Sequence, residues 1–484
     1  MSLYRDGNMN ETPHKVDILI VGNGALALFL ADELAQRETQ KRIAVVGPAG
    51  RDGCASRAAG AMLPAFSELS TETLSTDIGK AKFELALEAH KLWDGSLDRL
   101  QRQSPGGDPL KVSDDTFVVL NSKGSDLDSQ NFDAMIVALK EYQAPWEEVE
   151  PKAIAGFNPQ PDCRAFRAIR LPDEGGIDVR AVLSALEASL ADANIPIIDQ
   201  YVRKVQCEGD VVSGVELSDG SFVEAEWIVI AAGARSEALV QSASKDIDIL
   251  PTFPGLGLGM VAKRYEGDAF QSVVRTPNRA FGCGLHVVPN NQGREYIGAT
   301  NSASPRSNTG VRLLDLHYIT KYAMQQLDEG IAYHQVEQFL RGFRPISLDG
   351  YPMIGALPMR GLYVMTGTFR DGVHSAPLLA VHVANELEGK PRSYHLEFTP
   401  TRKPIVTRTI ESSIDECVIH SLANWYEYGE NAALFSTKEI EAHYRDKITK
   451  MYDEIDVDYA LPPEVLWYAF DDPENRIVNY LKQH

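Results

Sequence analysis

The first strong pattern along the chain is Asp17–Val21, a mostly apolar run of strand length that passes through Gly22, Asn23 and Gly24 into helical spacing from Ala25 to Leu34. Such a run predicts a buried strand, and the change of period after the glycines predicts a tight turn into a helix. A second run, Arg42–Val46, is expected parallel to the first, with Leu26–Ala35 as the crossover, which completes a β-α-β unit. Helical spacing returns over Thr76–Leu100, where Phe83, Leu87 and Leu92 mark one face. The segments Gln101–Asp115 and Leu120–Asn131, rich in Gly, Pro, Ser and Asp, read as loops around a short strand, Thr116–Leu120.

From Gly175 the pattern is regular again. Asp178 is placed to cap a helix whose apolar face is Val182, Leu183, Leu186 and Leu190, ending near Asn194 and Pro196. Turns at Glu208–Asp210 and Ser218–Gly220 predict a small meander, followed by a buried strand, Trp227–Ala232, that enters a helix through Gly233. Residues Ile249–Thr300 read as antiparallel strands with a turn at Asn290–Gly293, and Tyr318–Leu327 as a helix. The stretch Gly342–Gly389 holds a turn at Asp349–Gly350, a strand at Leu362–Met365 and a glycine loop through Gly372. It ends in a helix from about Ala376, with Ser375 as cap, Pro377 in the first turn and Gly389 as stop.

Composition narrows the function classes. The 484 residues are 44% hydrophobic and 24% charged, ordinary globular usage, and no apolar run approaches the length of a membrane span. The polar amino end, read as a short disordered lead-in, lacks the apolar core of an export signal, and five scattered cysteines fit a reducing, cytoplasmic setting. A formal charge of -21 disfavours nucleic acid and anionic membranes as partners. Neither the cysteines nor the histidines show metal-ligand spacing, so no metal is expected.

The opening glycines carry the first chemistry. Gly22 and Gly24 permit a tight turn and close approach of a pyrophosphate, Ala27 allows the helix to pack on the strand, and the helix amino end favours phosphate charge. Gly47 stands where a ribose-binding acid usually ends the second strand. Asp52 is a possible replacement, and Arg42 or Arg51 a possible reader of a 2'-phosphate, so this motif alone leaves FAD and a nicotinamide cofactor both open.

Several blocks taken together resemble the D-amino-acid oxidase family of FAD-dependent oxidoreductases, and within it glycine oxidase and sarcosine oxidase. They are VDILIVGNGALALFLADEL, SRAAGAML, WIVIAAGARS, LPTFPGLGLGM, VVPNNQGREYIGAT, GFRPISLDGYPMIG and GTFRDGVHSAPLLA, in the family's order, spanning Val16–Gly389. The resemblance implies an α/β protein with a Rossmann-like FAD-binding domain (residues 16–75, 150–245 and 340–389) and an antiparallel-sheet substrate domain (76–149 and 246–339); residues 390–484 are an addition to that family core, read as helical from their apolar spacing. The resemblance also implies FAD held by Gly22, Gly24, Ala25 and Ala27, by Ser56, Arg57, Ala58, Ala59, Gly60 and Met62, by Val205, Ala232 and Gly233, and by Gly372, Val373 and His374. It places Arg344 on a substrate carboxylate, Arg370 as a second active-site arginine, and His286, Asn301 and His374 near the substrate. His286 in place of a tyrosine, together with Asn301, makes glycine itself a doubtful substrate.

The implied reaction is oxidation of an amine or amino acid, carboxylate-bearing, to an imine, with oxygen reduced to hydrogen peroxide. Two alternatives remain at this point: a dehydrogenase passing electrons to a quinone or protein acceptor, and a non-catalytic flavin-binding partner protein. In the addition, Thr399–Pro404 reads as a linker, and Ile410–Tyr426 and Thr437–Tyr452 as helices, with Ser436 capping the second. Trp425, Tyr426, Tyr428, Trp467, Tyr468 and Phe470 make it aromatic, and Asp453–Asp458 is acidic. A lid or brace on the core is expected, with a homo-oligomer or protein-partner surface as the alternative.

Overall fold

The structure is a computed structural model that describes residues 13–37, 40–303, 310–392, 396–427, 437–470 and 475–482. Strand β1 (Lys15–Val21) runs through Gly22–Gly24 into helix α1 (Ala25–Gln36), and strand β2 (Ile43–Val46) returns parallel to β1 with Ile18 opposite Ile43. The strand Phe222–Ile230 lies on the other side of β1, also parallel, with Ile18 opposite Trp227. Its first residues pair antiparallel with the meander strand Val211–Leu217 and its last with the parallel strand Leu362–Thr366, so one strand joins the meander to the parallel sheet. One face of this eight-stranded sheet is covered by α1 and the helices Val179–Asp192 and Ala376–Leu387, where Leu28, Leu30, Leu186 and Val383 are fully buried. Apolar residues on both faces are what a parallel sheet between covering layers demands.

A second, ten-stranded sheet is built on the antiparallel pair Thr252–Lys263 and Gln335–Ser347, with Gly255 opposite Arg344. The sheet carries Thr116–Asn121 and His286–Asn290 towards its other side. Together the two sheets give the α/β architecture expected from the sequence, with helical segments after Gly389.

Three expectations change. Leu120–Asn131 is not all loop: a helix, Asp126–Glu141, starts inside it and buries Leu127, Phe132, Met135 and Leu139. The Ser and Asp residues that suggested a loop stand at its amino end, where acids oppose the helix dipole favourably. Ser375 makes no side-chain cap on the helix Ala376–Leu387. Thr399–Pro404 is pinned and not a loose linker, because Arg402 gives two hydrogen bonds of 2.8 Å to the carboxylate of Asp349 and others to the carbonyls of Pro352 and Thr399.

The addition contains Ile410–Glu427, Thr437–Ile455, Pro463–Phe470 and Arg476–Leu481 as helices. Ile414, Cys417, Ile448, Leu466 and Tyr468 share one apolar core with Phe253, Ile346 and Met353, which makes the addition a brace on the sheets. Tyr428, Ser436 and the amino-terminal residues 1–12 lie outside the described residues, as do the side chains of Tyr426 and Phe470.

Candidate functional site

At the end of β1, Gly22 adopts φ +123°, and a Cβ there would collide with the carbonyl oxygen of Ala231. Only glycine lets the turn nest against the neighbouring strand in that conformation. Helix α1 opens without a side-chain cap and without an acid in its first turn, although the Ala25 N–H donates to Ser56 Oγ at 3.0 Å. Its amino end is therefore an electropositive site on the wall of a cavity of about 690 Å³. Gly22, Gly24, Ala25, Ser56, Ala58, Ala59, Ala232, Gly233, Gly372 and Val373 line this cavity with Arg344 and Arg370.

Gly47 has a physical reason. A Cβ there would lie 2.7 Å from Asn23 Cγ, because the Asn23 side chain crosses it to donate to the Pro48 carbonyl at 2.8 Å. Asp52 and Glu237 both line the cavity, and Asp199 accepts from the Ala49 N–H at 2.7 Å. Neither arginine considered for a 2'-phosphate is free for it. Arg42 pairs with Asp17 at the far end of the strands, and Arg51 bonds the Asn23 carbonyl and pairs with Glu187.

Arg344 lies in a furrow made by glycines at alternate positions of the strand Thr252–Lys263. Residues two apart share a face of a strand, so Gly255, Gly257 and Gly259 leave one lane without side chains. A Cβ at Gly257 would sit 2.6 Å from the Arg344 guanidinium carbon, and one at Gly259 would collide with Tyr296. Arg344 Nη1 donates to the Thr300 carbonyl at 3.2 Å and to Asn301 Oδ1 at 3.1 Å, while the Asn301 amide donates to the Phe281 carbonyl. Asn301 thus orients Arg344, which has no carboxylate partner among the described residues.

A buried charge cluster adjoins it. Arg275, fully buried, donates to Glu68 at 2.6 Å, and Arg370 Nη1 lies 3.7 Å from the other Glu68 oxygen. Burial works to raise the Glu68 pKa, but the charges of Arg275 and Arg370 outweigh it and bring it down to about 2. His286 is buried against Tyr296, with rings 5.8 Å apart, and its Nδ1 is 2.9 Å from the Gly284 carbonyl. Burial, reinforced by Arg275 and Arg344, lowers its pKa to about 4, so it is neutral at pH 7. Two arginines to one glutamate leave this end of the site positive.

The remaining expected residues fall elsewhere. Ala27 is buried between α1 and its neighbours, Val205 lies in the core with its N–H bonded to Ser242, and Arg57 bonds the Gly50 carbonyl. Gly60 packs against His286 and Tyr296, and Met62 bridges to Gly176. His374 lines a neighbouring cavity; burial lowers its pKa to about 4, and its Nε2 bonds the Ala86 carbonyl at 2.9 Å. The sequence reading missed Glu68, Arg275 and Tyr296. The period-two glycines of PGLGLGM were the available signal for a cleared strand face, whereas nothing local marks Glu68 and Arg275, 207 positions apart.

Comparison with known proteins settles the family. The model for FAD dependent oxidoreductases of the DAO type matches residues 17–386, well over half of the chain. The chain belongs to that family. A glycine oxidase of Geobacillus kaustophilus is 25% identical over 403 residues, covering 80% of this chain and 97% of that protein. The bifunctional protein ThiO/ThiG of Trichormus variabilis is 24% identical over 402 residues, 81% of this chain but 56% of its own length. Among solved structures, the Geobacillus kaustophilus glycine oxidase has a TM-score of 0.67 at 23% identity and covers 81% of this chain and 99% of its own. An iminodiacetate oxidase from Chelativorans sp. has a TM-score of 0.64 at 18% identity, covering 79% and 98%.

As a member of this family the chain is an FAD-dependent oxidoreductase, and the cavity fits the cofactor. The uncapped α1 amino end suits a pyrophosphate, Asp52 is a carboxylate at hand for a ribose, and Gly372 and Val373 bring the helix Ala376–Leu387 to the cavity wall. Held there, FAD would supply the hydride acceptor for the oxidation.

Proposed function

We propose that the chain oxidises an amine that bears a carboxylate, converting its CH–NH unit to an imine with oxygen as the electron acceptor. The observation that carries this reading is Arg344, a guanidinium held by Thr300 and Asn301 at the cofactor cavity with no acid to neutralise it among the described residues. A planar fork in that state suits a substrate carboxylate through paired hydrogen bonds. Arg275 and Arg370 around Glu68 keep the same end positive. The substrate loses a hydride from carbon and a proton from nitrogen, and oxygen takes up two electrons and two protons to leave hydrogen peroxide. His286 and His374, both held neutral, make no competing positive charge at pH 7.

The test is a panel of amines added to the holoenzyme under nitrogen. Carboxylate-bearing amines are expected to bleach the flavin bands, and air to restore them with release of peroxide. Bleaching without recovery in air points instead to a quinone or protein acceptor. A flavin that no amine bleaches removes the amine reading and favours a binding role.

A further inference from the structure

A second cavity, of about 770 Å³, adjoins the first and shares Phe369 and Arg370 with it. One wall comes from the core around Glu68–Thr76, and the opposite wall from the addition around Arg408–Glu416, His420 and Pro462–Glu464. Most charges there are spent on each other. Asp371 pairs with Lys82, Asp349 with Arg402, Asp415 with Arg445 and Glu416 with Arg408. Glu72, from the core, and Glu464, from the addition, make no ion pair among the described residues; both lie close enough to act on the His420 charge, and Glu464 acts on Arg370 as well.

The chemistry around His420 decides which cation these acids suit. Glu72, Glu416 and His420 bring possible ligand atoms within 4.8 Å of one another, a grouping of metal-site type. Yet the Phe281 N–H donates to His420 Nδ1 at 2.9 Å, so a neutral ring carries its proton on Nε2 and keeps no lone pair for a metal ion. His374, 3% exposed and on the lining of the same cavity, gives its Nε2 to the Ala86 carbonyl and has no hydrogen-bond partner for Nδ1 among the described residues. Carboxylates that stand outside any ion pair on a cavity wall favour an incoming cation with N–H donors.

Building on the amine-oxidation reading, we infer that this cavity receives a cationic substituent of the substrate. The substrate class is then an amino acid or N-substituted amino acid whose carboxylate meets Arg344 and whose side group ends in an ammonium or guanidinium near Glu72 and Glu464. Glu464 is a specificity-determining residue supplied by the addition, outside the part of the chain that the family model matches. As an acid in the first turn of the helix Pro463–Phe470 it also suits the helix dipole, a role that does not distinguish one substrate from another.

The probe is α-methyllysine, which has no Cα hydrogen to lose, compared with the analogue in which a methyl replaces its ε-ammonium. Calorimetry on the holoenzyme is expected to give roughly tenfold or tighter binding of α-methyllysine, the scale of a charge-assisted hydrogen bond. Glu464→Gln and Glu72→Gln should each lower that ratio. Equal binding of the two probes to the wild type, or a ratio that survives in the double variant, overturns the inference. The calorimetric ratio decides it whether or not lysine-type amines bleach the flavin; bleaching reports on the amine reading alone.

Discussion

Glu68 holds two arginines with one carboxylate, and its charge is tied to the fold. In the unfolded chain it titrates near 4.5, and in the folded protein at about 2. The stability it contributes is present above pH 4.5 and is lost as the pH falls towards 2, about 3 kcal/mol in all. His286 and His374 act in a higher window. Each is lowered from 6.5 to about 4, so the unfolded chain takes up the proton first and stability falls as the pH drops from 6.5 to 4. Urea midpoints measured across pH 2–7 should show both slopes, the lower one missing in Glu68→Gln and the upper one shallower in His286→Gln. Neither group announces itself in sequence. Glu68 lies outside the blocks that carry the family resemblance, and the arginines that lower its pKa come from remote strands and turns.

Elements explain more than single residues do. The turn from β1 into α1 was legible because its chemistry is local: a conformation open to glycine, a helix amino end and an apolar strand all lie within twenty consecutive positions. Gly22→Ala should cost the protein its flavin, seen as loss of absorbance in the purified variant, because the added methyl meets the Ala231 carbonyl in a strained conformation. The furrow under Arg344 was written just as plainly in GLGLG, but its meaning depends on which side chain crosses the strand, and the partner strand comes some eighty residues later. Gly257→Ala should displace the guanidinium and weaken binding of carboxylate-bearing amines roughly tenfold or more, with flavin absorbance retained. Titration of the variant with a carboxylate ligand, followed in the flavin spectrum, checks this. The helix Asp126–Glu141 went unread for the opposite reason, since acids and serines mark both loops and helix starts.

The molecule as a whole joins a family core to a brace. Asp349 is 4% exposed and takes two hydrogen bonds from Arg402, so Arg402→Ala strands a buried carboxylate and should cost about 3–5 kcal/mol in urea unfolding. Phe253 packs on Tyr468 with rings 4.9 Å apart, so removal of residues 390–484 should yield an aggregating core and not a minimal enzyme, a result read by size-exclusion chromatography. That the tail packs on the core was an expectation; where it docks was not legible, because its partners are scattered across both sheets. The order of strands around β1 has a consequence for synthesis. The glycine turn leaves the ribosome long before the strand beside it, which ends at Ile230, and the next, which ends at Thr366. A nascent chain must therefore carry an unfinished cofactor cradle, with apolar strand edges exposed, through more than three hundred further residues of elongation. Such long-range closure is slow and open to misassembly, so a chain stopped short of Thr366 retains the glycine turn without the sheet needed to hold FAD.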